Sequence, residues 1–337
     1  MLTTKSFIGL WYCRNLLTEH RKLRVAVVGA GVFGRHHVRI VKQSTHAELV
    51  GVVDPDAQRA QAIAAEFGCP VVPSLEDLIG RADAAIVAAP TFAHAPIGCT
   101  LLENGIDVMV EKPIAADLAG ARRLVETAAA HNRILQVGHL ERFNPAVAAL
   151  QKARTVPLFF EIHRLSLFSP RSLDVDVVLD LMIHDLDIVL SMVDSEPTEI
   201  RAAGIRILSE KVDIANVRLE FPSGCVANLT ASRVSTERVR KLRLFQPNQY
   251  ISLDYERQQA AAFTVSAGHQ IGFQNLPVEK SEPLKLEVED FLDCVTTRRH
   301  PRVSGADGLR ALNAALGILA KIEEHTRLVA QQLSPRP

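Results

Sequence analysis

The chain has 337 residues, with 38 Lys+Arg against 38 Asp+Glu, 47% hydrophobic residues and a pI near 7.2. A balanced charge gives no electrostatic pull toward nucleic acid or an anionic membrane, and no apolar run reaches the length of a membrane span. The five cysteines, Cys13, Cys69, Cys99, Cys225 and Cys294, are odd in number and lack C-x-x-C spacing. They read as reduced, packed thiols of a cytoplasmic protein rather than a disulfide frame or zinc site.

Residues 1–22 carry the short apolar patch Phe7-Ile-Gly-Leu-Trp11-Tyr12, read as an extension without assigned function. From Lys22 strand and helix alternate. Strand Arg24–Val28 leads to a helix ending near Lys42, and strand Ala47–Val53 to helix Ala57–Phe67, closed by Gly68. A short strand is predicted at Cys69–Val72 and a capped helix from Ser74. Strand Ala84–Ala88 precedes helix Ala95–Asn104; strand Asp107–Val110 precedes helix Leu118–His131; Ile134–Val137 is the last strand of this rhythm. Short apolar strands alternating with helices imply a doubly wound parallel sheet.

After Pro145 the rhythm changes. Strand Leu158–Leu165 precedes a long helix, Asp174–Met192. Strands then follow at Glu199–Leu208, Ile214–Phe221, Cys225–Ser232, Lys241–Phe245 and Tyr250–Tyr255, with Ala261–Ser266 as a further candidate. Pro222-Ser-Gly224 reads as a hairpin turn. Helices return at Leu286–Thr297 and Ala306–His325. The predicted organisation is an extension (1–22), a Rossmann-type α/β domain (23–145), and an α+β domain (146–330) with a largely antiparallel open sheet.

Within this frame, Val25-Ala-Val-Val-Gly29-Ala-Gly31-Val32-Phe33-Gly34 places G-x-G-x-x-G between a strand and a helix. Gly29 permits the tight turn, Gly31 a close approach by a diphosphate, and Gly34 close helix–strand packing. The helix start would aim free N–H groups at the phosphates. Asp54 ends the second strand, where an acid meets ribose hydroxyls and repels a 2′-phosphate, so NAD is expected over NADP. Neither Pro55 nor Asp56 adds a cation. Ligands of such sheets bind at the carboxyl ends of strands. That rule selects Gly29–Gly34, Pro90–His94, Glu111–Pro113 and Gly138–Asn144.

Four motifs, in this order and spacing, resemble the glucose–fructose oxidoreductase / inositol dehydrogenase / MocA family. They are Gly29–Gly34, Ala89-Pro90-Thr91 with His94, Glu111-Lys112-Pro113, and Asp180-Leu-Met-Ile-His184. The resemblance runs from about Leu23 to His325. It implies NAD(P)-dependent oxidation or reduction of a sugar or polyol carbinol, no catalytic metal, and an open sheet that often mediates oligomers, here a homodimer or homotetramer. It also implies cofactor contacts at Pro90, Thr91, His94, Glu111 and Lys112. His94 could equally cap the helix that follows.

Hydride loss from a carbinol requires a base for the hydroxyl proton and a donor for the developing alkoxide. Lys112 is the candidate donor, against the alternative of an exposed turn lysine. His184 is the candidate proton acceptor. Asp180, four residues earlier on the expected helix, would orient the imidazole and raise its pKa. Asp185 and Asp187 do not converge with these on a metal site.

Gly138-His139-Leu-Glu141-Arg142-Phe143-Asn144-Pro145 looks most like the branch that oxidises the 3-hydroxyl of UDP-N-acetylglucosamine. Arg142 offers a fork for phosphate or carboxylate and Asn144 an amide for a sugar hydroxyl. Equally, Arg142 could pair with an interface acid and Asn144 cap a turn. Arg164 and Arg171, near Ser169, and Arg233 are further candidates for a substrate's phosphates. Arg238, Arg240, Lys241 and Arg243 read as a solvated face or an oligomer contact. The competing readings are a free-sugar or polyol dehydrogenase and an NAD-binding regulatory protein.

Overall fold

The computed structural model describes residues 21–168, 175–266, 268 and 270–333. Its first half is a five-stranded parallel sheet, with strands β1 (Leu23–Val28), β2 (Ala47–Val53), β3 (Ala84–Val87), β4 (Asp107–Glu111) and β5 (Leu135–Gly138) in the order β2-β1-β3-β4-β5. Parallel neighbours need crossover helices, which cover both faces. The central strands are accordingly apolar without alternation, and β3 is entirely buried. The crossovers are α1 (Val32–Gln43), α2 (Ala57–Phe67), α3 (Thr91–Glu103) and α4 (Leu118–Ala130). Asp56 caps α2 by accepting from the Gln58 and Arg59 N–H groups, and Gly68 ends it in the left-handed region at φ 59°.

Two predicted elements shrink. The strand expected at Cys69–Val72 is a single bridge between Val52 and Val71. Pro70 and Pro73 lack N–H groups, so no ladder extends from it. The helix expected from Ser74 is one 3-10 turn, Glu76–Leu78. Conversely, α3 begins four residues before the predicted Ala95, leaving Pro96 inside the helix.

The second half opens with α5 (Pro145–Ala153), a helix absent from the predicted elements although Asn144 is its N-cap and Pro145 lies in its first turn. Next come β6 (Phe159–Leu167), a π-helical turn at Val178–Met182 and α6 (Ile183–Val193). The single α-helix expected across Asp174–Met192 is therefore broken by a wider turn, and Asp174 lies outside the described residues. Strands β7 (Glu199–Ile205), β8 (Ile214–Glu220), β9 (Val226–Ser235), β10 (Val239–Gln246), β11 (Gln249–Asp254), β12 (Gln259–Val265) and the unpredicted β13 (Ile271–Asn275) join β6. The sheet order is β13-β12-β11-β10-β6-β9-β8-β7. Every neighbouring pair is antiparallel except β6–β9.

One face of this sheet is apolar and covered. Phe160, Ile162, Val217, Leu229, Leu242 and Leu244 pack beneath Ile183, Leu186 and Ile188 of α6 and Ala311, Ala315 and Ile318 of α8 (Gly305–Leu333). Between these lies α7 (Pro283–Thr297), which returns to the first sheet: Val288, Phe291 and Leu292 pack with Val25, Val27 and Met109. Because α8 also places Leu312 in the core around β5, it binds the halves together. Among the described residues no helix is long and apolar enough to cross a membrane.

Candidate active site

The nucleotide side is built by the β1–α1 turn. Gly29 has φ 105°, and a Cβ there would lie 2.5 Å from the Ala88 carbonyl oxygen. A Cβ on Gly34 would lie 1.8 Å from the Gly29 carbonyl oxygen, so the fold itself requires both glycines. Gly31 differs: a Cβ there meets nothing within 4 Å, and its φ of −77° suits any residue. The open space lies over the start of α1, which has no acidic residue and no side-chain cap. Val32 and Phe33 beside it are large, apolar and exposed. These residues fit a dinucleotide's diphosphate at a helix N-terminus. We expect Gly31→Val to leave the melting temperature within about 2 °C of wild type. It should weaken NAD binding at least tenfold, a combination that calorimetry and a thermal melt read together.

Asp54 sits at the carboxyl end of β2. Its Oδ2 accepts from the Ala30 N–H at 2.7 Å and its Oδ1 from the Asp56 N–H at 2.8 Å, so it also braces the glycine turn. Pro55 and Asp56 add no cation here, but the α2 helix supplies one: Arg59 Nη2 stands 3.5 Å from Asp54 Oδ1, and Arg59 Nε donates to Asp56 at 2.9 Å.

At the end of β3, Pro90 and Thr91 start α3. His94 turns inward. Its ring nitrogens lie 2.9 Å from the Pro113 carbonyl oxygen and 2.8 Å from the Ala89 carbonyl oxygen. Burial is the main cause pulling its pKa below the usual imidazole value, and a neutral ring donates to only one of the two. The residue ties the β3–α3 turn to the loop after β4. That loop contains a cis Lys112–Pro113 peptide. Glu111 points beneath it, its Oε1 accepting from His37 Nε2 at 2.7 Å. Burial pushes the Glu111 carboxyl up, but the His37 bond and charge, with Lys112, hold it below the ordinary range.

Lys112 crosses from the first half to the second. Its Nζ donates to the Asp180 carbonyl oxygen at 2.7 Å and to Asp180 Oδ1 at 3.2 Å. Asp180 lies in the π turn. It therefore holds the lysine rather than the imidazole, which corrects the expected Asp180–His184 pairing. His184 begins the next turn, 8% exposed, with Nδ1 buried and without a partner among the described residues. Its pKa is driven well down, not up: burial is the largest cause, followed by the charges of Lys112 and Arg164. A neutral imidazole results, with a lone pair that can accept a proton although the ring is a weaker base than a free histidine.

His139, quoted within its motif but given no role there, packs against His184 edge to face, ring centroids 5.9 Å apart at 89°. It is fully buried, both nitrogens lack partners among the described residues, and burial with the charge of Arg142 lowers its pKa to about 3. The strand-end rule selects this stretch, and its position at the carboxyl end of β5 is the signal that marks His139.

The arginines are mostly committed to protein partners. Arg164 donates to Asp185 through Nε at 2.7 Å and Nη2 at 2.8 Å, and to Glu141 through Nη1 at 3.0 Å. Arg142 reaches Asp187 at 3.4 Å and the Arg302 carbonyl oxygen at 2.9 Å. Burial raises the Asp187 carboxyl to about 7 despite that neighbour. Asn144 caps α5 through the Ala146 N–H and donates to the Tyr255 carbonyl oxygen at 3.0 Å. Arg233 lies 3.4 Å from Asp213. Arg171 and Ser169 lie outside the described residues.

The carboxyl ends of the first sheet's strands thus face the π turn and α6 of the second half. Lys112, His139 and His184 gather where the halves meet. Residues 23–139 match the GFO/IDH/MocA family described as "Oxidoreductase family, NAD-binding Rossmann fold", and residues 163–247 match the GFO/IDH/MocA C-terminal domain. The UDP-N-acetylglucosamine 3-dehydrogenase of Acidithiobacillus ferrooxidans is 35% identical over 307 residues, which are 89% of this chain and 97% of that one. The chain belongs to the GFO/IDH/MocA oxidoreductase family.

A solved structure of that Acidithiobacillus protein superposes with a TM-score of 0.85 at 34% identity, covering 90% of this chain and 98% of the other. The scyllo-inositol 2-dehydrogenase (NAD(+)) of Bacillus subtilis is 28% identical over 326 residues, 90% of this chain and 94% of that one. Like its GFO/IDH/MocA relatives, the chain is an oxidoreductase with a nicotinamide dinucleotide-binding Rossmann half.

Proposed function

We propose that this enzyme oxidises the 3-hydroxyl of UDP-N-acetylglucosamine, or of a closely related nucleotide sugar, to a ketone. The observation that carries the catalytic part is the meeting of Lys112 with Asp180 of the π turn, four residues before the buried His184. Support for the sugar comes from the Acidithiobacillus 3-dehydrogenase, related along nearly its whole length.

A bound nicotinamide supplies the acceptor for the hydride leaving the carbinol carbon. The Lys112 ammonium, oriented by Asp180, donates to the reacting oxygen and stabilises its growing negative charge. His184 takes the hydroxyl proton and returns it to solvent after the ketone departs. Gly29, Gly31 and Gly34 with the start of α1 hold the diphosphate, while Asp54, Pro90, Thr91 and Glu111 shape the remaining cofactor cleft. Residues 23–145 form the cofactor domain and 146–330 the substrate domain, whose α7 packs back onto the first sheet.

NAD is the proposed cofactor. Arg59 beside Asp54 is balanced by two carboxylates, Asp54 and Asp56, so a 2′-phosphate would meet net negative charge. The described cysteines are free thiols, which suits a reducing cytoplasm. For assembly, the uncovered sheet face carries an aromatic ladder. Phe159, Phe245, Tyr250, Phe263 and Phe273 follow one another with centroids 5.7, 5.4, 4.4 and 5.0 Å apart. Such a patch suits burial in a homodimer or homotetramer. Phe263→Glu should shift the enzyme to smaller species in light scattering; an unchanged mass would remove the ladder from the interface.

The function is tested by following reduced nicotinamide with a panel of UDP-sugars, free sugars and inositols. Turnover of UDP-N-acetylglucosamine is expected. Activity confined to unphosphorylated polyols would replace this reading with that of an inositol dehydrogenase, the activity of the Bacillus relative.

A further inference from the structure

Arg240 does not lie on the solvated face expected for it. It shares the covered face of β10 with Leu242 and Leu244, which are fully buried, whereas Lys241 and Arg243 face outward and are exposed. Its register partner on β6 is Arg164. The two guanidiniums have unequal surroundings. Arg164 makes three hydrogen bonds to Asp185 and Glu141. The nearest carboxylate oxygen to Arg240 is Glu141 Oε1 at 3.9 Å, the same oxygen that already accepts from Arg164 at 3.0 Å.

Among the described residues the Arg240 side chain donates no hydrogen bond, and its Nε is buried without a partner. Only 31% of the side chain is exposed. Glu256, the other acid whose charge reaches it, is paired with Arg238 at 3.4 Å. A guanidinium only partly open to water, with Nε buried and unpartnered and another guanidinium beside it, has donors left over for a ligand. Arg240 also lies near enough to His184 for its charge to act on that imidazole.

We propose that Arg240 is a specificity-determining residue that grips the diphosphate of the substrate; this rests on the nucleotide-sugar reading above. With the reacting carbinol at Lys112 and His184, the diphosphate on the anomeric carbon sits across one sugar ring. The guanidinium fork matches phosphate oxygens two at a time. Arg142, Arg164 and Arg233 are held by Asp187, Asp185 and Asp213, and so are poorly placed for that role.

The test compares Arg240→Gln with wild type, using Lys241→Gln on the outer face as control. UDP alone, titrated into the NADH-loaded protein, should bind Arg240→Gln at least tenfold more weakly and the control as wild type does. The KM for UDP-N-acetylglucosamine should rise by a larger factor than kcat falls, with the KM for NAD within about twofold. Equal UDP affinity in wild type and Arg240→Gln overturns the proposal, as does equal weakening in the control. If Arg240→Gln does not fold, Arg240→Lys carries the test: it keeps the charge and loses the fork, so weakening of about three- to tenfold is expected, and unchanged affinity overturns. Should UDP binding depend on Arg240 while UDP-N-acetylglucosamine is not oxidised, the anion site stands and the sugar reading fails.

Discussion

Replacing Lys112 with methionine is expected to lower kcat/KM by about 10³-fold while NAD affinity stays within about threefold. Methionine keeps the length and apolar stem but removes the ammonium. What is lost is the donor to the reacting oxygen, together with bonds to Asp180 at 2.7 and 3.2 Å. The cofactor turn, built from Gly29, Gly31 and Gly34, does not depend on that amine. A second readout separates chemistry from structure. The Lys112 charge is, after burial, the largest cause depressing the His184 pKa. In Lys112→Met the acid limb of residual kcat/KM should therefore move to higher pH. A slow variant with an unmoved limb would mean that Lys112 and His184 do not share a site.

His184→Ala should cost about 10²- to 10⁴-fold in kcat, with partial recovery when imidazole is added. The pH behaviour has a definite sign. His184 is held well below its ordinary value of 6.5 by burial and neighbouring cations. The neutral, proton-accepting form thus persists below pH 6.5, and wild-type kcat/KM should stay flat through that pH and fall only beneath it. Stability follows the same direction. The unfolded imidazole charges near pH 6.5 while the folded one stays neutral, so this residue's contribution is intact above 6.5 and declines as pH drops toward the folded value. His184→Asn, compared with wild type in denaturant melts, should narrow any stability deficit as pH falls from 7.5 to 5.5. An acid limb in wild type at or above pH 6.5 would contradict the assignment.

What the sequence revealed and what it hid divide along physical lines. The alternation of apolar strands and helices up to Val137, and the switch to successive strands after Pro145, are local patterns and matched the two sheets. The glycine turn and the strand-end loops were legible because their chemistry is written in adjacent residues. Pairings between distant residues were not. Nothing local says that Lys112 will meet Asp180, 68 residues on, or that Arg164 will take Asp185 and Glu141 from neighbouring elements. The π turn defeated the i, i+4 argument for Asp180 and His184, since a wider turn rotates the following residues.

Other misses had a signal. Asn144-Pro145 is a helix start, and Ala146, Val147 and Leu150 give α5 its buried stripe. Arg240 shares parity with Leu242 and Leu244, so alternation alone placed it inside. His139 stood at a strand end that ligand geometry favours. A neutral imidazole there is a weaker signal than the charged guanidinium of Arg142.

The most direct measurement uses UDP-N-acetylglucosamine carrying deuterium only at C3, incubated with NAD and the wild-type enzyme. The nicotinamide product is then examined by mass spectrometry. Deuterium on the nicotinamide ring, with a 3-keto sugar as co-product and slow transfer in Lys112→Met, is the predicted result. Reduced cofactor free of deuterium, or none formed, would contradict oxidation at that carbon by this site.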